Sequence, residues 1–283
     1  MERNTTDRPV AGVIFAAGKG SRMVGYSGNK TLLPLVPGEE SIYEGEHPLL
    51  REVMRSLPPG PRGIVVNHCA DEVRRATGGT GARYCHQKQT NGTGGALLAA
   101  RPFLESVAED VVVITMGDVP LILPSTYDKL VSKLDTHDLV VLAFVPEDRA
   151  QYGMLEMDGE RVLRIVEWKY WRDFEPGRLA SLSYGNAGVY AARRARLMEA
   201  MEKLAARPHH VQKQRGDSWV TIEEYFLTDL VELMVSERLS VGVVLAPREE
   251  ITGVDTPDSL RRAQSQYAMR QRAIGAHHAE ARG

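Results

Sequence analysis

Cysteine is almost missing from this chain, with two in 283 residues, so no disulfide framework braces it and the composition fits a reducing cytoplasm. Charge of one sign is not in surplus either. The 35 lysines and arginines against 37 aspartates and glutamates leave a net charge of -2, which argues against nucleic acid as the main partner. No apolar stretch approaches the length of a membrane span. The N-terminal region is polar and then glycine-rich, with too short an apolar run for a signal peptide. No internal repeat is visible. The expectation is a cytoplasmic protein with neither membrane nor nucleic acid as partner and with room for a homo-oligomer.

What is present is concentrated in residues 10 to 23, VAGVIFAAGKGSRM. Val10 to Phe15 suits a buried strand, and Gly18 and Gly20 let bare backbone N–H groups approach an anion beside Lys19 and Arg22. Two familiar phosphate loops do not fit. A Walker A loop needs four residues between its glycine and Gly-Lys, and a dinucleotide fingerprint needs a third glycine where Met23 stands. An ordinary strand-to-helix turn is the plain alternative. Two cations beside a Gly-x-Gly turn, followed by Lys30, favour a nucleoside triphosphate.

Apolar runs alternate with helical patterns along the chain. Strands are expected at 10–15, 62–67, 111–116, 139–145 and 241–246, as β-branched runs that suit a sheet covered on both faces. The fold class is α/β, a doubly wound, mostly parallel Rossmann-like sheet. Asp158-Gly159 between two apolar-polar runs predicts a β-hairpin within Met154 to Glu167, the start of a separate lobe. The expected organisation is one domain over 1–265, with a nucleotide-binding part at about 10–150, a second lobe at about 151–240 and a returning strand at 241–265. A helical tail follows at 266–283.

In open α/β sheets, ligands settle at the carboxyl ends of the strands, and Asp118 falls there, just after VVVITM. A helix cap or turn is the plain reading of such an aspartate. The following Val-Pro-Leu is a poor helix start and Gly117 admits a ligand, so a metal role is favoured. Gln87, Gly92 and Thr93 lie in QKQTNGTGG, a loop ahead of a helix expected near Ala96; a glutamine amide there offers both donor and acceptor to a base edge. His68-Cys69 and Cys85-His86 are taken as strand residues rather than metal ligands, because neighbours on a strand face opposite ways. His209-His210 and His277-His278 fall in loop and tail patterns expected to face solvent. Trp168, Tyr170 and Trp171 form an aromatic group suited to packing or to lining the lobe.

AAGKGSRM with the lysine of NKTLLPL resembles the signature of sugar-1-phosphate nucleotidyltransferases. The closest resemblance is to the uridyltransferase domain of bifunctional N-acetylglucosamine-1-phosphate uridyltransferase. It recurs at QKQTNGTGGALLAA, MGDVPLI, YGMLEMDGERVLRIVEWK, YGNAGVY, YFLTDLVELM and EITGVDTPDSL, covering nearly all of residues 10 to 265. The resemblance implies that Gln87 and Gly92, with backbone from Ala16, Ala17 and Gly18, hold uracil. It assigns Gly153, Glu167 and Asn186, with Thr93 nearby, to the sugar, and Asp118 and Asp255 to Mg²⁺. Asp255 stands where the nearest relatives carry asparagine, a swap that keeps or strengthens binding of a hard cation. Ala187 replaces the usual threonine, and the acidic segment 36–48 is longer than usual. The hexapeptide β-helix of the bifunctional relatives has no counterpart before Gly283, so acetyl transfer is not expected.

The implied reaction joins UTP and a sugar-1-phosphate, N-acetylglucosamine-1-phosphate first among candidates, with loss of pyrophosphate. Negative charge grows on the transferred and leaving groups, so positioning and cationic stabilisation carry the catalysis. Arg22 would clamp phosphate oxygens, Lys30 would sit on the α-phosphate, and Lys19 and Gly20 would meet the outer phosphates. The alternatives are a glucose-1-phosphate uridylyl-, thymidylyl- or cytidylyltransferase, or a non-catalytic nucleotide-sugar-binding regulator. A pure binder has no need of the whole phosphate and metal set.

Overall fold

A computed structural model describes residues 9–215 and 218–280. The chain enters through β1 (Ala11–Ala16), then makes a small hairpin from β2 (Pro34–Pro37) and β3 (Gly45–Pro48). β4 (Arg62–Val66) follows as a parallel partner of β1, β5 (Arg83–His86) pairs with β4, β6 (Val111–Met116) takes the other side of β1, and then comes β7 (Leu139–Phe144). β8 (Met154–Asp158) and β9 (Arg161–Val166) form the expected hairpin around Gly159. β10 (Gly185–Arg193) returns to the sheet, β11 (His209–Arg215) pairs with β12 (Ser218–Glu224) as a separate ribbon, and β13 (Val241–Leu245) closes the edge.

The central sheet has nine strands, ordered β13-β7-β10-β6-β1-β4-β5, with β8 and β9 branching from β10. β10 runs antiparallel to both β6 and β7, and the remaining pairs along that order are parallel. Alternation along β1 sends Val13 and Phe15 to one face and Ile14 and Ala16 to the other, and all four are buried. Helices Gly92–Ala99, Arg194–Ala205 and Asp229–Ser236 cover the first face; Leu49–Ser56 and Pro124–Lys133 cover the second. This is the doubly wound Rossmann-like architecture expected.

Strand order also fixes where a ligand can enter. From β1 the chain winds outward through β4 and β5, then crosses back to β6 on the other side of β1. Crossovers leave on opposite faces there, and a crevice opens beyond the carboxyl ends of β1 and β6. The glycine loop leaves β1 at this crevice, and Asp118 leaves β6 beside it. The helix Pro257–Glu280 closes one flank, burying Leu260, Ala263 and Tyr267 against Met23, Leu33 and Leu121.

Some expectations change. His68 and Cys69 sit in the turn after β4, with Cys69 in the left-handed region at the mouth of helix Ala70–Ala76, and are not strand residues. His209 and His210 lie in β11 rather than a loop, and His209 Nε2 meets Asp229 Oδ2 at 2.7 Å. The helix expected near Ala96 starts at Gly92. His277 and His278 fall in the last turns of the final helix, and their side chains lie outside the described part.

Candidate active site

At the crevice beyond β1 and β6, four side chains drawn from a stretch of more than two hundred residues meet. Lys30 Nζ contacts both Asp118 Oδ2 and Asp255 Oδ1, and Arg22 Nη2 lies 2.9 Å from Asp255 Oδ2. The glycine loop rests on the lysine stem. Gly20 has φ +60°, and a Cβ there would stand 3.3 Å from Lys30 Cβ, so the left-handed conformation and the close approach both favour glycine. Ala16 and Ala17 are buried where the loop begins, whereas Gly18 and Lys19 face solvent.

Asn29, which the sequence reading passed over, sets this lysine. Its Oδ1 accepts from Thr31 N at 3.0 Å and from Thr31 Oγ1 at 2.8 Å, capping the short turn Lys30–Leu32. Its Nδ2 donates to Ala16 O at 2.7 Å and to His68 O at 2.9 Å. A fully buried amide thus ties the start of the lysine turn to the ends of two strands. The signal was a cap-forming residue directly ahead of NKTLLPL's apolar run.

The two carboxylates are fixed relative to each other. Val254 N donates to Asp118 O at 2.9 Å, bringing the segment before Asp255 against the end of β6. Thr256 and Ser259 cap the final helix reciprocally, Thr256 N to Ser259 Oγ at 2.9 Å and Ser259 N to Thr256 Oγ1 at 3.2 Å; Asp255 N also donates to Ser259 Oγ at 2.9 Å. Burial pulls the Lys30 pKa down, but Asp118 and Asp255 together outweigh it and hold the ammonium above the ordinary lysine range.

Two carboxylates gathered on one cation are the donor set a hard divalent ion takes when phosphates and water complete its shell. No cluster of three or more His, Cys, Asp or Glu that could hold a metal occurs among the described residues. Asp118 and Asp255 therefore fit Mg²⁺ of the nucleotide-bound kind rather than a fully protein-ligated ion.

The second end lies along the loop after β5 and the lobe. Gln87 is buried, and its Nε2 donates to Asn91 Oδ1 and Gly92 O, both at 3.1 Å. Gly92 has φ +92°, and a Cβ there would fall 2.3 Å from Tyr225 O, so any larger residue would push the loop off the lobe. Tyr225 N donates to Asn91 O at 2.9 Å, Gly94 N to Tyr225 O at 2.8 Å, and Leu227 N to Thr93 Oγ1 at 3.2 Å. The QKQTNGTGG loop and the YFLT segment are thereby locked together.

A cavity of about 580 Å³ opens between them, with Gly92, Thr93, Glu167 and Asn186 in its wall beside Trp168 and Lys169. Thr228 Oγ1 donates to Glu167 Oε1 at 2.8 Å. Asn186 Nδ2 donates to the buried Tyr190 hydroxyl at 2.8 Å, while Asn186 Oδ1 accepts from Gly188 N at 3.0 Å across a bulge in β10. Burial, the largest influence, pushes the Tyr190 phenol above its usual range, so this partner stays neutral. Gly153 lies just behind the cavity, accepting from Asn186 N at 2.8 Å, and a Cβ there would stand 3.7 Å from both Glu167 carboxylate oxygens. Of the aromatic group, Trp171 is buried and donates to Tyr152 O at 2.8 Å, Trp168 faces the cavity, and Tyr170 is exposed. Sequence reading missed Thr228 and Tyr190 because their value lies in whom they meet, Glu167 and Asn186.

Comparison with known proteins gives the family and the fold. The bifunctional protein GlmU of Ruegeria sp. (strain TM1040) is 33% identical over 267 residues, covering 92% of this chain and 53% of GlmU. That of Nitratidesulfovibrio vulgaris (strain DSM 19637 / Miyazaki F) is 34% identical over 261 residues, covering 89% and 51%. The chain thus spans about half the length of these relatives. Among solved structures, the uridine diphosphate N-acetylglucosamine pyrophosphorylase of Trypanosoma brucei, in complex with an inhibitor, superposes with TM-score 0.68 at 15% identity, covering 90% of this chain and 64% of that one. A Bacillus anthracis protein assigned as a glucose-1-phosphate thymidylyltransferase, in complex with a sucrose, gives TM-score 0.60 at 17% identity, covering 90% and 94%. At such identities these two speak for the fold alone. The family model of the MobA-like NTP transferase domain matches residues 12–218, well over half of the sequence, and the chain belongs to that family.

Proposed function

We propose that this chain is a sugar-1-phosphate uridyltransferase, joining UTP to a sugar-1-phosphate, N-acetylglucosamine-1-phosphate first among candidates, with release of pyrophosphate. The observation that carries the reading is the meeting of Arg22, Lys30, Asp118 and Asp255 at the crevice beyond β1 and β6. A binder would gain little from assembling two cations and two carboxylates at one point. A phosphoryl-group transferase needs both, the cations for growing negative charge and the carboxylates for an ion.

In this reading Arg22 forks onto phosphate oxygens and Lys30, kept charged by its neighbours, lies against the α-phosphate. Gly18, Lys19 and Gly20 supply backbone N–H groups and a further cation to the outer phosphates. Ala16, Ala17, Gln87 and Gly92 border the base, and the Gln87 amide, committed through its nitrogen to the 91–92 loop, has its oxygen for the pyrimidine edge. Glu167, Asn186 and Thr93 receive the sugar hydroxyls, with Gly153 keeping the floor thin. Asp118 and Asp255 would hold Mg²⁺, which when bound neutralises the triphosphate and holds it in line for attack. The attacking oxygen belongs to the sugar phosphate, so no covalent protein nucleophile is required.

Purified protein with Mg²⁺, UTP and a panel of sugar-1-phosphates, read by pyrophosphate release, tests this. Release should be fastest with N-acetylglucosamine-1-phosphate. Release with dTTP or CTP instead would change the nucleotide, and none with any pairing would leave a nucleotide-sugar binder.

A further inference from the structure

We propose that Tyr43 is a positioning residue for the nucleotide end of this site, acting through the phosphate loop from the tip of the arm formed by residues 34–48. The inference rests on the nucleotidyl-transfer reading above and adds a part to it.

The loop between β1 and Lys30 has no helix or strand of its own. Its internal bonds are short-range turns, Met23 N to Gly20 O at 2.8 Å, Val24 N to Arg22 O at 3.2 Å and Tyr26 N to Met23 O at 3.3 Å, in a segment where Arg22, Val24 and Gly25 are exposed. Bonds of this kind open readily to water, so a loop that must present Arg22 in one place needs a hold from outside. Met23, buried beneath, is one. Tyr43 is another. Its hydroxyl donates to Val24 O at 2.7 Å, and its ring stacks on Tyr26 with centroids 5.7 Å apart and planes 29° apart. The Tyr26 hydroxyl in turn donates to Asn29 O at 3.4 Å, next to Lys30.

The arm that carries Tyr43 is itself fastened to the body at two points, which separates a brace from a loose flap. The buried Gln264 of the final helix donates through Nε2 to Ile42 O near its tip and to Pro34 O where it begins, both at 2.9 Å. At its base, His47 takes a left-handed φ of 62°, meets Glu52 Oε2 at 2.6 Å and stacks on Tyr267 with ring centroids 5.1 Å apart. A non-glycine residue in that conformation is uncommon, and the Glu52 and Tyr267 contacts hold it. The chain of contacts runs from the final helix through the arm to Tyr43, then to the stretch between Arg22 and Lys30. None of the residues lining the sugar cavity belongs to the arm. The brace therefore acts on the triphosphate and leaves the sugar phosphate alone.

Tyr43→Phe in the full chain removes one hydroxyl and keeps the stack on Tyr26. Two readouts are taken. Hydrogen exchange without substrates should quicken about fivefold in residues 18–28, the loss expected for one hydrogen bond, and stay unchanged in β6. In steady state, KM for UTP should rise by a similar factor while KM for the sugar phosphate and kcat stay near the parent values. Tyr43→Ala, which also removes the stack, should exceed Tyr43→Phe in both readouts without quickening exchange in β6. Unchanged exchange in 18–28, a rise shared with β6, or equal rises in both KM values would overturn the proposal. Absence of turnover in the parent protein would count against the transferase reading instead, and the exchange data would still decide the brace.

Discussion

The two ends of the site are built by different means. At the phosphate end, charge holds charge: Lys30 sits between two carboxylates and Arg22 leans on one of them. At the sugar end Glu167 and Asn186 are held by neutral partners, a threonine hydroxyl and a backbone N–H that donate and a tyrosine hydroxyl that accepts. The contrast follows from what each end must do. An ionic cluster without substrate keeps its cations close to where anions arrive, and its internal pairs can be exchanged for phosphate and metal at small net cost. Neutral hydrogen bonds fix shape, which is what discriminating one hydroxylated ring from another requires. On the proposed uridyltransferase reading, the ionic end serves rate and the neutral end serves selection.

The largest effect that sharpens this contrast is loss of a cation. Lys30→Ala and Arg22→Ala should each lower kcat about a hundredfold or more, as removal of a preorganised charge-stabilising group does, with little change in KM for the sugar phosphate. Near-normal kcat in both would break the division. Next in size, Asp255→Ala should raise the Mg²⁺ concentration for half-maximal rate about tenfold, the scale on which metal-site residues act, and an unchanged Mg²⁺ titration would withdraw Asp255 as a ligand. Smaller again, Thr228→Val removes the donor at 2.8 Å from Glu167 Oε1 and should raise KM for the sugar phosphate about fivefold, the worth of one net hydrogen bond, with kcat retained. A kcat loss there equal to that of Lys30→Ala would mean that both ends act on the same step.

How far the sequence reached depends on the range of the signal. β1, β4, β6, β7 and β13 were legible because buried parallel strands are continuous β-branched runs, and their observed bounds differ from the expected ones by a residue or so at each end. β10 was not, since GNAGVYAAR is rich in glycine and alanine, residues that strands disfavour; tertiary pairing on both sides makes it a strand. The ribbon of β11 and β12 was hidden behind polar residues that read as loop. Gly20, Lys30 and Asp118 could be picked out because each sits in a local pattern of its own. That Lys30 would reach Asp255, or that Asp118 would be pinned through Val254, depends on contacts spanning the chain, which no local pattern encodes. Tyr43 is the extreme case. Its segment stood out for its length and acidity, and the tyrosine gains meaning only once the arm is folded against the loop.

The smallest expected effect concerns pH and bears on the ionic end alone. Because the two carboxylates hold the Lys30 ammonium above the ordinary lysine range, its contribution to stability is fully present below the unfolded value of about 10.4 and is lost only as pH rises through the higher folded value. Between pH 6 and 9 the lysine therefore stays charged, and neither kcat nor Tm should fall on its account. Asp118→Asn removes one of the two anions while keeping a side chain of the same size, so any alkaline limb owed to Lys30 should move toward neutrality in that variant. A fall in parent activity between pH 7 and 9 that disappears in Lys30→Arg would show the ammonium losing its proton inside that window. The carboxylates would then not dominate its surroundings, and the ionic end would lose the feature that sets it apart from the sugar end.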